Sequence, residues 1–394
     1  MIQIIDKKDC CGCNACVQKC PKRCIAMEED YEGFLYPKVN KALCINCGLC
    51  EKVCPIINKG KSCSPKRTYA IKNRDEEIRR QSSSGGFFTF IAENIIKDGG
   101  VVFGARFDDN WEVVHDYTET LEGLSFFRGS KYVQSRIEDN FKKVEFFLKQ
   151  GRKVLFSGTP CQVAGLKLFL CKEYDNLLTV DFVCHGIPSP GVWRRYLKEK
   201  VMKVCDKKKN VRIEDLSFRN KKTGWKNYSF SMKLVEATND GIIYVKYFSE
   251  LSRNNIFMKG FLADLYLRPC CYTCPAKCGK SGSDITIGDL WGAPSIIGED
   301  DDDRGTSLVL INKDIPHFIN NSFIWTKEIN YSTALVHNPA IEHSAEIPLR
   351  RTSFYESIVG VESLENIVYR LTKTPLWKRI LHLIKRTIKV LFKV

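Results

Sequence analysis

Eight cysteines near the start of the chain form two copies of one pattern, C-x2-C-x2-C-x3-C, and a proline follows each copy. Three thiolates at such short spacing can ligate three irons of one 4Fe–4S cubane, while the cysteine before proline ligates the other cluster. The pattern therefore predicts two clusters that exchange their fourth ligands. The ligands of the first are Cys10, Cys13, Cys16 and Cys54, and those of the second are Cys44, Cys47, Cys50 and Cys20.

Zinc is the alternative for these cysteines, although structural zinc sites usually draw four thiolates from two separated pairs. Cys11 and Cys24 lie outside the pattern and are interpreted as spare buried thiols. Because Cys11 is adjacent to Cys10, the spacing leaves a question about which of the two is a ligand.

Cysteines in the central part of the chain predict a further site. Cys161 follows one apolar run and Cys184 ends another. If both runs are parallel strands of one sheet, these cysteines lie at the carboxyl edge, where open α/β sheets bind ligands. A later group (Cys270, Cys271, Cys274, Cys278) precedes a predicted strand and turn at 283–292. Cys161, Cys184, Cys271 and Cys274 can together hold a third 4Fe–4S cluster. Alternatively, the first two are buried small hydrophobes and the later group binds zinc or nothing.

The elements that position these cysteines follow from the order of apolar runs. Strand-like runs at 101–107, 153–157 and 177–183 alternate with helix-like runs at 137–150, 161–170 and 190–204. This alternation is typical of an α/β domain with a parallel or mixed sheet. We therefore expect an N-terminal α+β 2[4Fe–4S] ferredoxin-like domain (1–58), a linker (59–67), an α/β domain with a mixed sheet (68–345) and a helical basic tail (346–394).

Composition narrows the class of protein. The chain has 394 residues, 19 cysteines and a net charge of +15, but residues 1–58 are nearly neutral. Its first residues lack a basic segment and a long apolar segment, so no secretion signal is expected. Cysteines at this density in a reducing compartment usually bind metal or do redox chemistry. The sequence thus predicts a cytoplasmic redox protein with no transmembrane helix and no nucleic-acid partner.

Four longer motifs carry a resemblance to a known family. They are Phe156-Ser-Gly-Thr-Pro-Cys-Gln162, Asp181-Phe-Val-Cys-His-Gly-Ile-Pro-Ser-Pro190, Phe218-Arg-Asn-Lys-Lys-Thr-Gly-Trp225 and, as one interrupted motif, Arg268-Pro269 with Ser283-Asp-Ile-Thr-Ile-Gly-Asp-Leu-Trp-Gly292. Over roughly residues 1–345 the chain resembles the family of coenzyme F-420 hydrogenase/dehydrogenase beta subunits. Members join a ferredoxin module to a flavin-binding α/β domain. They include deazaflavin-oxidising subunits of methanogens and plant-type 7-hydroxymethyl chlorophyll reductases.

The resemblance strengthens the prediction of a third cluster and implies bound FAD. The family often has serine at Cys270 and lacks a cysteine at Cys278, so the alternatives for the two ligands from this group include Cys270 and Cys278 beside Cys271 and Cys274. The chain has no G-x-G-x-x-G motif after a strand, so a Rossmann-type flavin site is not supported.

Two other stretches are candidates for the flavin site. Small residues before a helical run expose backbone N–H groups that suit a pyrophosphate; the alternative is a plain helix cap. These residues are Ser82, Ser83, Ser84, Gly85 and Gly86. The stretch 128–134 resembles the family's flavin-contacting segment, with Lys131, Tyr132 and Gln134 as candidates. Lys131 would hold a phosphate or the anionic edge of the flavin; the alternative is a solvated lysine.

Other polar residues near these motifs have competing interpretations. His185 could relay a proton to a flavin or a substrate, although a lone histidine is more often structural. Asp181 and Asp289 could each pair with a buried base, but an N-cap or turn role is the safer interpretation. Arg219 with Lys221 and Lys222 could attract an anionic substrate, although a solvated charge run is the favoured interpretation.

These features together predict an iron–sulfur flavoprotein oxidoreductase. Clusters pass single electrons, nicotinamides and deazaflavins exchange hydride, and a flavin can do both. The chain would then work with a redox partner protein or ferredoxin and with a small-molecule hydride donor or acceptor. The alternative is a non-enzymatic electron-transfer protein that supplies a separate reductase.

The last twenty residues predict an amphipathic helix. Between Pro375 and Val394 the cations fall on one side and the apolar residues on the other at 100° per residue. Such a helix can lie on an anionic membrane, which would place the protein peripherally on the inner membrane face. The alternative is docking on its own domain or on a partner protein.

Overall fold

The computed structural model describes residues 1–204, 211–237, 243–314 and 321–373. The strands are β1 (Ile25–Glu29), β2 (Leu35–Val39), β3 (Arg67–Asn73), β4 (Val101–Phe107), β5 (Val113–Thr118), β6 (Val154–Gly158), β7 (Leu177–Phe182), β8 (Val211–Asn220), β9 (Ser229–Ala237), β10 (Ile243–Leu251), β11 (Ile285–Asp289), β12 (Ser307–Ile311) and β13 (Ile324–Glu328).

The helices alternate with these strands. They are α1 (Ala15–Lys19), α2 (Leu49–Lys52), α3 (Glu76–Gln81), α4 (Phe87–Lys97), α5 (Asn140–Lys149), α6 (Pro160–Leu170), α7 (Pro190–Val204), α8 (Ile256–Leu262), α9 (Ala293–Ile297), α10 (Tyr331–His337), α11 (Arg351–Ile358) and α12 (Leu364–Thr372). A 3-10 turn, Pro269–Thr273, carries two of the central cysteines.

A mixed eight-stranded sheet forms the centre of the fold, in the order β13-β3-β12-β11-β7-β6-β4-β5. Strands β4, β6, β7 and β11 are parallel neighbours, and antiparallel strands extend the sheet on both sides. The predicted mixed α/β sheet is therefore confirmed. The parallel pairing of β6 with β7 confirms the arrangement that the sequence required for Cys161 and Cys184.

Local sequence explains where α6 begins, directly after β6. Thr159 caps the helix by accepting from the Gln162 N–H, and the Gln162 side chain accepts from the Thr159 N–H in return. This reciprocal capping box, with proline at the first helical position, terminates the strand and starts the helix within two residues. It places Cys161 in the first turn, at the carboxyl edge of the sheet.

A second layer of aromatic side chains packs between the main sheet, α7 and the three-stranded antiparallel sheet β8-β9-β10. The fully buried Trp193 on α7 lies at its centre, stacked on Phe107, tilted against Phe218 and edge-on to Phe257. Its indole N–H donates to the Trp111 carbonyl at 2.6 Å. Such rings bury large areas and fix their neighbours, so this layer holds β8 rigidly beside the sheet edge.

The N-terminal cysteine-rich part packs directly on the central part. Gly33, with φ of +84°, approaches Gly191 at the start of α7 so closely that a Cβ on it would lie 2.5 Å from the Gly191 Cα. Arg351 on α11 forms a two-point ion pair with the buried Glu32, with N–O distances of 3.0 and 2.5 Å. Residues 351–372, predicted as part of a tail, are thus two helices packed into the fold; residues 374–394 lie outside the described residues.

The Glu32–Arg351 pair provides a test of this packing. Glu32→Gln should lower the free energy of unfolding by about 3 kcal/mol, because it leaves the largely buried Arg351 cation without its carboxylate. Anaerobic denaturant unfolding would measure the change. The control is Glu28→Gln, whose exposed pair with Lys38 should contribute less than about 1 kcal/mol; an equal loss in both variants would contradict the assignment.

Candidate functional site

The first predicted set of ligands comes together across the two halves of the N-terminal part. Burial, and then the nearby Cys10 and Cys54 thiols, raise the pKa of Cys16 to about 12. The thiols of Cys16 and Cys54 in turn both lie close enough to the Cys13 thiol to interact with it electrostatically. Cys10, Cys13, Cys16 and Cys54 therefore face one another, and the Gly12 N–H points at the Cys10 sulfur at 3.4 Å.

The second predicted set lines one cavity. Cys20, Cys44, Cys47 and Cys50 surround it together with Cys24, Met1 and Ile45, and the Ile2 N–H donates to the Cys50 sulfur at 3.3 Å. Cys24, interpreted from sequence as a spare thiol, lies 3.4 Å from the Cys20 sulfur. That contact raises the pKa of Cys24 to about 11.

The third set meets at the carboxyl edge of the sheet. Burial first, and then the Cys161 and Cys271 thiols, raise the pKa of Cys274 to about 12. The Cys184 thiol is likewise buried. It interacts electrostatically with the thiols of Cys271, Cys274 and Cys161. The structure thus brings together four cysteines that lie up to 113 positions apart: Cys161, Cys184, Cys271 and Cys274.

Two neighbours of this set have different surroundings. The thiol of Cys270 lowers the pKa of Cys271 to about 7 by hydrogen bonding, and the Ile187 N–H adds to the effect at 3.4 Å from the Cys271 sulfur. Cys278 instead directs its thiol to the Glu342 carbonyl at 3.5 Å. The geometry therefore favours Cys271 and Cys274 as members of the set.

Backbone N–H groups point at sulfurs in all three sets. Among the described residues, no group of three or more histidine, cysteine, aspartate or glutamate side chains is placed to hold a single metal ion. The N–H groups that point at the Cys10, Cys50 and Cys271 sulfurs are the contacts that tune a bound cluster.

Cys11 connects the first and third sets. It is 4% exposed, and its thiol contacts both Cys13 and Cys161. Its carbonyl accepts a hydrogen bond from the Gln134 side chain at 3.1 Å. Sequence spacing placed Cys11 outside the pattern, and nothing in the local sequence indicated that it would lie against Cys161.

Arg268 is the buried cation of this region, at 1% exposure. Its Nε donates to the Cys10 carbonyl at 2.7 Å, and Nη2 points at the Cys10 sulfur at 3.4 Å. Nη2 also donates to the Leu35 carbonyl, and Nη1 donates to Gln134 Oε1, both at 2.9 Å. One guanidinium thus joins the first set of cysteines to the predicted flavin-contacting stretch.

The two stretches predicted for a flavin lie side by side. Ser130 donates to Ser83 Oγ from its N–H at 2.6 Å and from its hydroxyl at 2.9 Å. Ser84 Oγ donates to the Thr306 carbonyl at 2.7 Å. A Cβ on Gly85 would lie 2.3 Å from the Ile71 carbonyl oxygen, so only glycine allows the loop to lie against β3 and β12 before Gly86 caps α4.

Lys131 and Tyr132 line the same region. The Lys131 ammonium donates to the carbonyls of Phe126 and Arg128 at 2.9 and 2.8 Å, and burial lowers its pKa to about 7. The Tyr132 hydroxyl lies 3.4 Å from Arg219 Nη1, and its ring packs on Phe261.

Arg219 is not the solvated cation that its position beside Lys221 and Lys222 favoured. It is buried at the end of β8, paired through Nη1 with Asp289 at the end of β11. Nε and Nη2 of Arg219 and Oδ1 of Asp289 are buried and hydrogen-bond to none of the described residues. Asp289 thus has the buried base that the sequence left as an alternative, and polar atoms remain for a ligand.

Lys221 and Lys222 differ in their surroundings. Lys222 is exposed, whereas Lys221 donates to the carbonyls of Arg79 and Ser84 at 2.8 and 2.6 Å. Burial lowers the pKa of Lys221 to about 7. Through the Ser84 carbonyl, Lys221 therefore fixes the Ser82–Gly86 loop.

His185 pairs with a residue that sequence reasoning missed. Its Nε2 lies 2.6 Å from Asp264 Oδ1, and its ring meets Phe261 edge-on at 5.5 Å. Phe261 also packs on Tyr132, so His185 and the Tyr132–Arg219 pair flank one aromatic ring. Asp264 is 79 positions from His185, and no local signal predicted the contact.

Comparison with known proteins agrees with the class that this site defines. Residues 9–56 match the family described as a 4Fe–4S dicluster domain, so the chain is an iron–sulfur protein of the oxidoreductase type. Residues 151–332 match the family described as the C terminus of the coenzyme F420 hydrogenase/dehydrogenase beta subunit. The resemblance that the motifs predicted is therefore confirmed over these two parts of the chain.

Two curated relatives align with about half of the chain. The coenzyme F420-dependent sulfite reductase of Methanocaldococcus jannaschii is 28% identical over 199 residues, which is 47% of this chain and 29% of the relative. One of the subunits of the F420H2 dehydrogenase of Methanosarcina mazei is 23% identical over 215 residues, 51% of this chain and 60% of the relative. The chain thus spans less than two thirds of each.

Two further comparisons align with other shares of the chain. A ferredoxin of Mycolicibacterium smegmatis is 38% identical over 52 residues, 13% of this chain and 41% of that protein. A chain of the F420-reducing NiFe hydrogenase complex from Methanosarcina barkeri aligns at a TM-score of 0.45 and 16% identity, covering 76% of this chain and 95% of that one.

In the part of the chain that the structure describes, no helix is both long and apolar enough to cross a membrane.

Proposed function

We propose that this chain moves electrons between 4Fe–4S clusters and an FAD site at which hydride is exchanged with a small molecule. One observation carries the proposal: contacts link the three cysteine sets and the flavin-type residues in series. Cys50 of the second set lies near Cys16 of the first. Cys11 contacts both Cys13 and Cys161, and Arg268 joins Cys10 to Gln134.

We assign three clusters to the three cysteine sets. The first and second sets take the exchanged ligands that the spacing predicts, and Cys161, Cys184, Cys271 and Cys274 hold the third. Support for the third comes from the mutual contacts of four thiols at the carboxyl edge, the place where α/β sheets bind ligands. The thiols must lose protons when they bind iron, so cluster insertion releases protons.

The residues beside the third set fit a flavin. The Arg219 N–H groups and Asp289 Oδ1, which are buried and unpartnered among the described residues, supply donors and an acceptor side by side. A flavin's pyrimidine edge presents an oxygen acceptor beside an N–H donor, which is the complementary order. Buried polar atoms of this kind are costly unless they are paired, so a bound ring would satisfy them.

The chain's own residues then divide the work. A bound flavin supplies the exchange between single electrons and hydride. Lys131 and the Ser82–Gly86 loop hold its phosphates, and Arg219, positioned by Asp289, holds the ring. His185, oriented by Asp264 at 2.6 Å, is placed to hold or release a proton at Nε2 or Nδ1. Both relatives described above are named for coenzyme F420, and we therefore propose a deazaflavin as the hydride partner.

Iron content tests the third set. Anaerobically purified chain should carry about twelve irons, four per cluster. Cys161→Ser and Cys184→Ser should each carry about eight, because a ligand of the third set is lost. The control is Cys171→Ser at an exposed thiol, which should keep full iron. Full iron in the first two variants would make those cysteines packing residues.

Flavin content tests the hydride site. The reconstituted chain should bind one FAD, and Arg219→Lys should weaken binding about tenfold because it removes charged donors to the ring. Fluorescence titration would measure the affinity. Arg212→Lys, on the same strand but exposed, should bind as the parent does. A chain that binds no FAD after reconstitution would overturn the proposed transfer of electrons between the clusters and a flavin.

The pH dependence of FAD affinity tests Lys131. Its pKa of about 7 means that the ammonium is charged below pH 7 and loses its proton above. Affinity for the anionic phosphates should therefore fall as the pH rises from 6 to 8. Lys131→Met should bind FAD more weakly at pH 6 and show a flatter profile. Lys142→Met, at an exposed lysine, should retain the parent profile; unchanged behaviour of Lys131→Met would remove Lys131 from the site.

A further inference from the structure

The second cysteine set reaches the surface at Cys47. Cys47 is exposed, whereas the other eleven candidate ligands are buried or half-buried. Ile45, which lines the same cavity, and Leu43 beside it are both 57% exposed. Large apolar side chains around an exposed ligand form a small patch that water covers poorly.

Exposed cations accompany this patch: Lys22 lines the same cavity, and three more lie within a few positions of the patch or of Lys22 in the sequence. Lys22, Arg23, Lys41 and Lys52 are exposed, and the structure pairs none of them with a carboxylate among its described residues. The nearby Glu51 is already paired with the N-terminal ammonium at 3.0 Å. We call the exposed group the Cys47 face; it comprises Lys22, Arg23, Lys41, Leu43, Ile45, Cys47 and Lys52.

We propose that the Cys47 face docks an acidic one-electron carrier protein of the ferredoxin class, and that electrons enter or leave the chain there. The inference rests on the proposed function and names its protein partner. Charge complementarity selects the occupant: exposed apolar residues accompanied by four cations that pair with no carboxylate among the described residues attract an acidic surface and steer its approach. The N-terminal part as a whole is nearly neutral, so the asymmetry is local to this face.

The transfer itself is a single-electron step. The reduced carrier loses one electron and the chain gains one; no bond forms or breaks, and no proton moves. Two such transfers, together with one proton from solvent, balance one hydride delivered at the flavin site. The carrier is therefore the reductant in this direction and the oxidant in the other.

Stopped-flow absorbance of the holoprotein at the cluster bands tests the face. The probe is a dithionite-reduced 2[4Fe–4S] ferredoxin of net negative charge, freed of excess dithionite. Lys41→Glu/Lys52→Glu should lower the second-order rate constant at least about tenfold at low salt. The rate for the unaltered chain should fall with added salt, because screening weakens the attraction. Neither lysine lines the cluster cavity, so iron content should not change.

The matched control reverses two exposed cations elsewhere, Lys198→Glu/Arg253→Glu, and should change the rate less than about twofold. Photoreduced 5-deazariboflavin, a small neutral reductant, should reduce all three proteins equally fast. An unchanged rate in Lys41→Glu/Lys52→Glu, an equal loss in the control variant, or an equal loss with the neutral reductant would overturn the proposal.

Other occupants and a failed flavin site give different readouts. A change of self-association in Lys41→Glu/Lys52→Glu, measured by light scattering, would make a second copy of the chain the occupant of the Cys47 face. Capture of the unaltered chain but not of this variant by vesicles of anionic lipid would make a membrane the occupant. Either result would overturn the carrier as the occupant. Cluster reduction is observed without turnover, so a chain that binds no FAD but keeps the charge-dependent rate would retain the docking face and lose only the hydride site.

Discussion

The hydrogen bonds of the Arg268 guanidinium are the interactions on which the arrangement of the cysteine sets and the predicted flavin residues depends. It lies in the interior and needs acceptors in every direction, and it takes them from the Cys10 carbonyl, the Leu35 carbonyl and Gln134. The first belongs to the cysteine pattern, the second to β2 and the third to the predicted flavin-contacting stretch. A buried cation without hydrogen-bond acceptors is very costly. The need for these acceptors therefore fixes the positions of the three segments relative to one another.

The parallel strands impose the second constraint. Strands β6, β7 and β11 end at one edge, so residues far apart in sequence, Cys161, Cys184 and Asp289, follow strand ends that are neighbours in space. The aromatic layer around Trp193 then sets β8 beside that edge, and with it Arg219. Central cysteines and buried polar side chains thus meet because of strand direction.

The sequence predicted what depends on local spacing. The repeated cysteine pattern, the mixed sheet and the place where β6 gives way to α6 all follow from short-range patterns of residues. Contacts across the fold could not be predicted in that way. Arg219 looked like part of a charged run because Lys221 and Lys222 follow it, and only the packing of β8 buries it. Cys11 and Asp264 acquire their partners, Cys161 and His185, solely through tertiary structure.

The contact of Arg268 with Cys10 spans 258 positions, and this has a consequence for biosynthesis. A ribosome completes both cysteine runs of the N-terminal part long before it reaches residue 268. Cluster insertion at that stage would act on a nascent chain whose Cys10 still lacks its cation and its inner packing surface. The surroundings of Cys10 seen in the structure, with a guanidinium beside its sulfur, therefore form only after residue 268 has been synthesised.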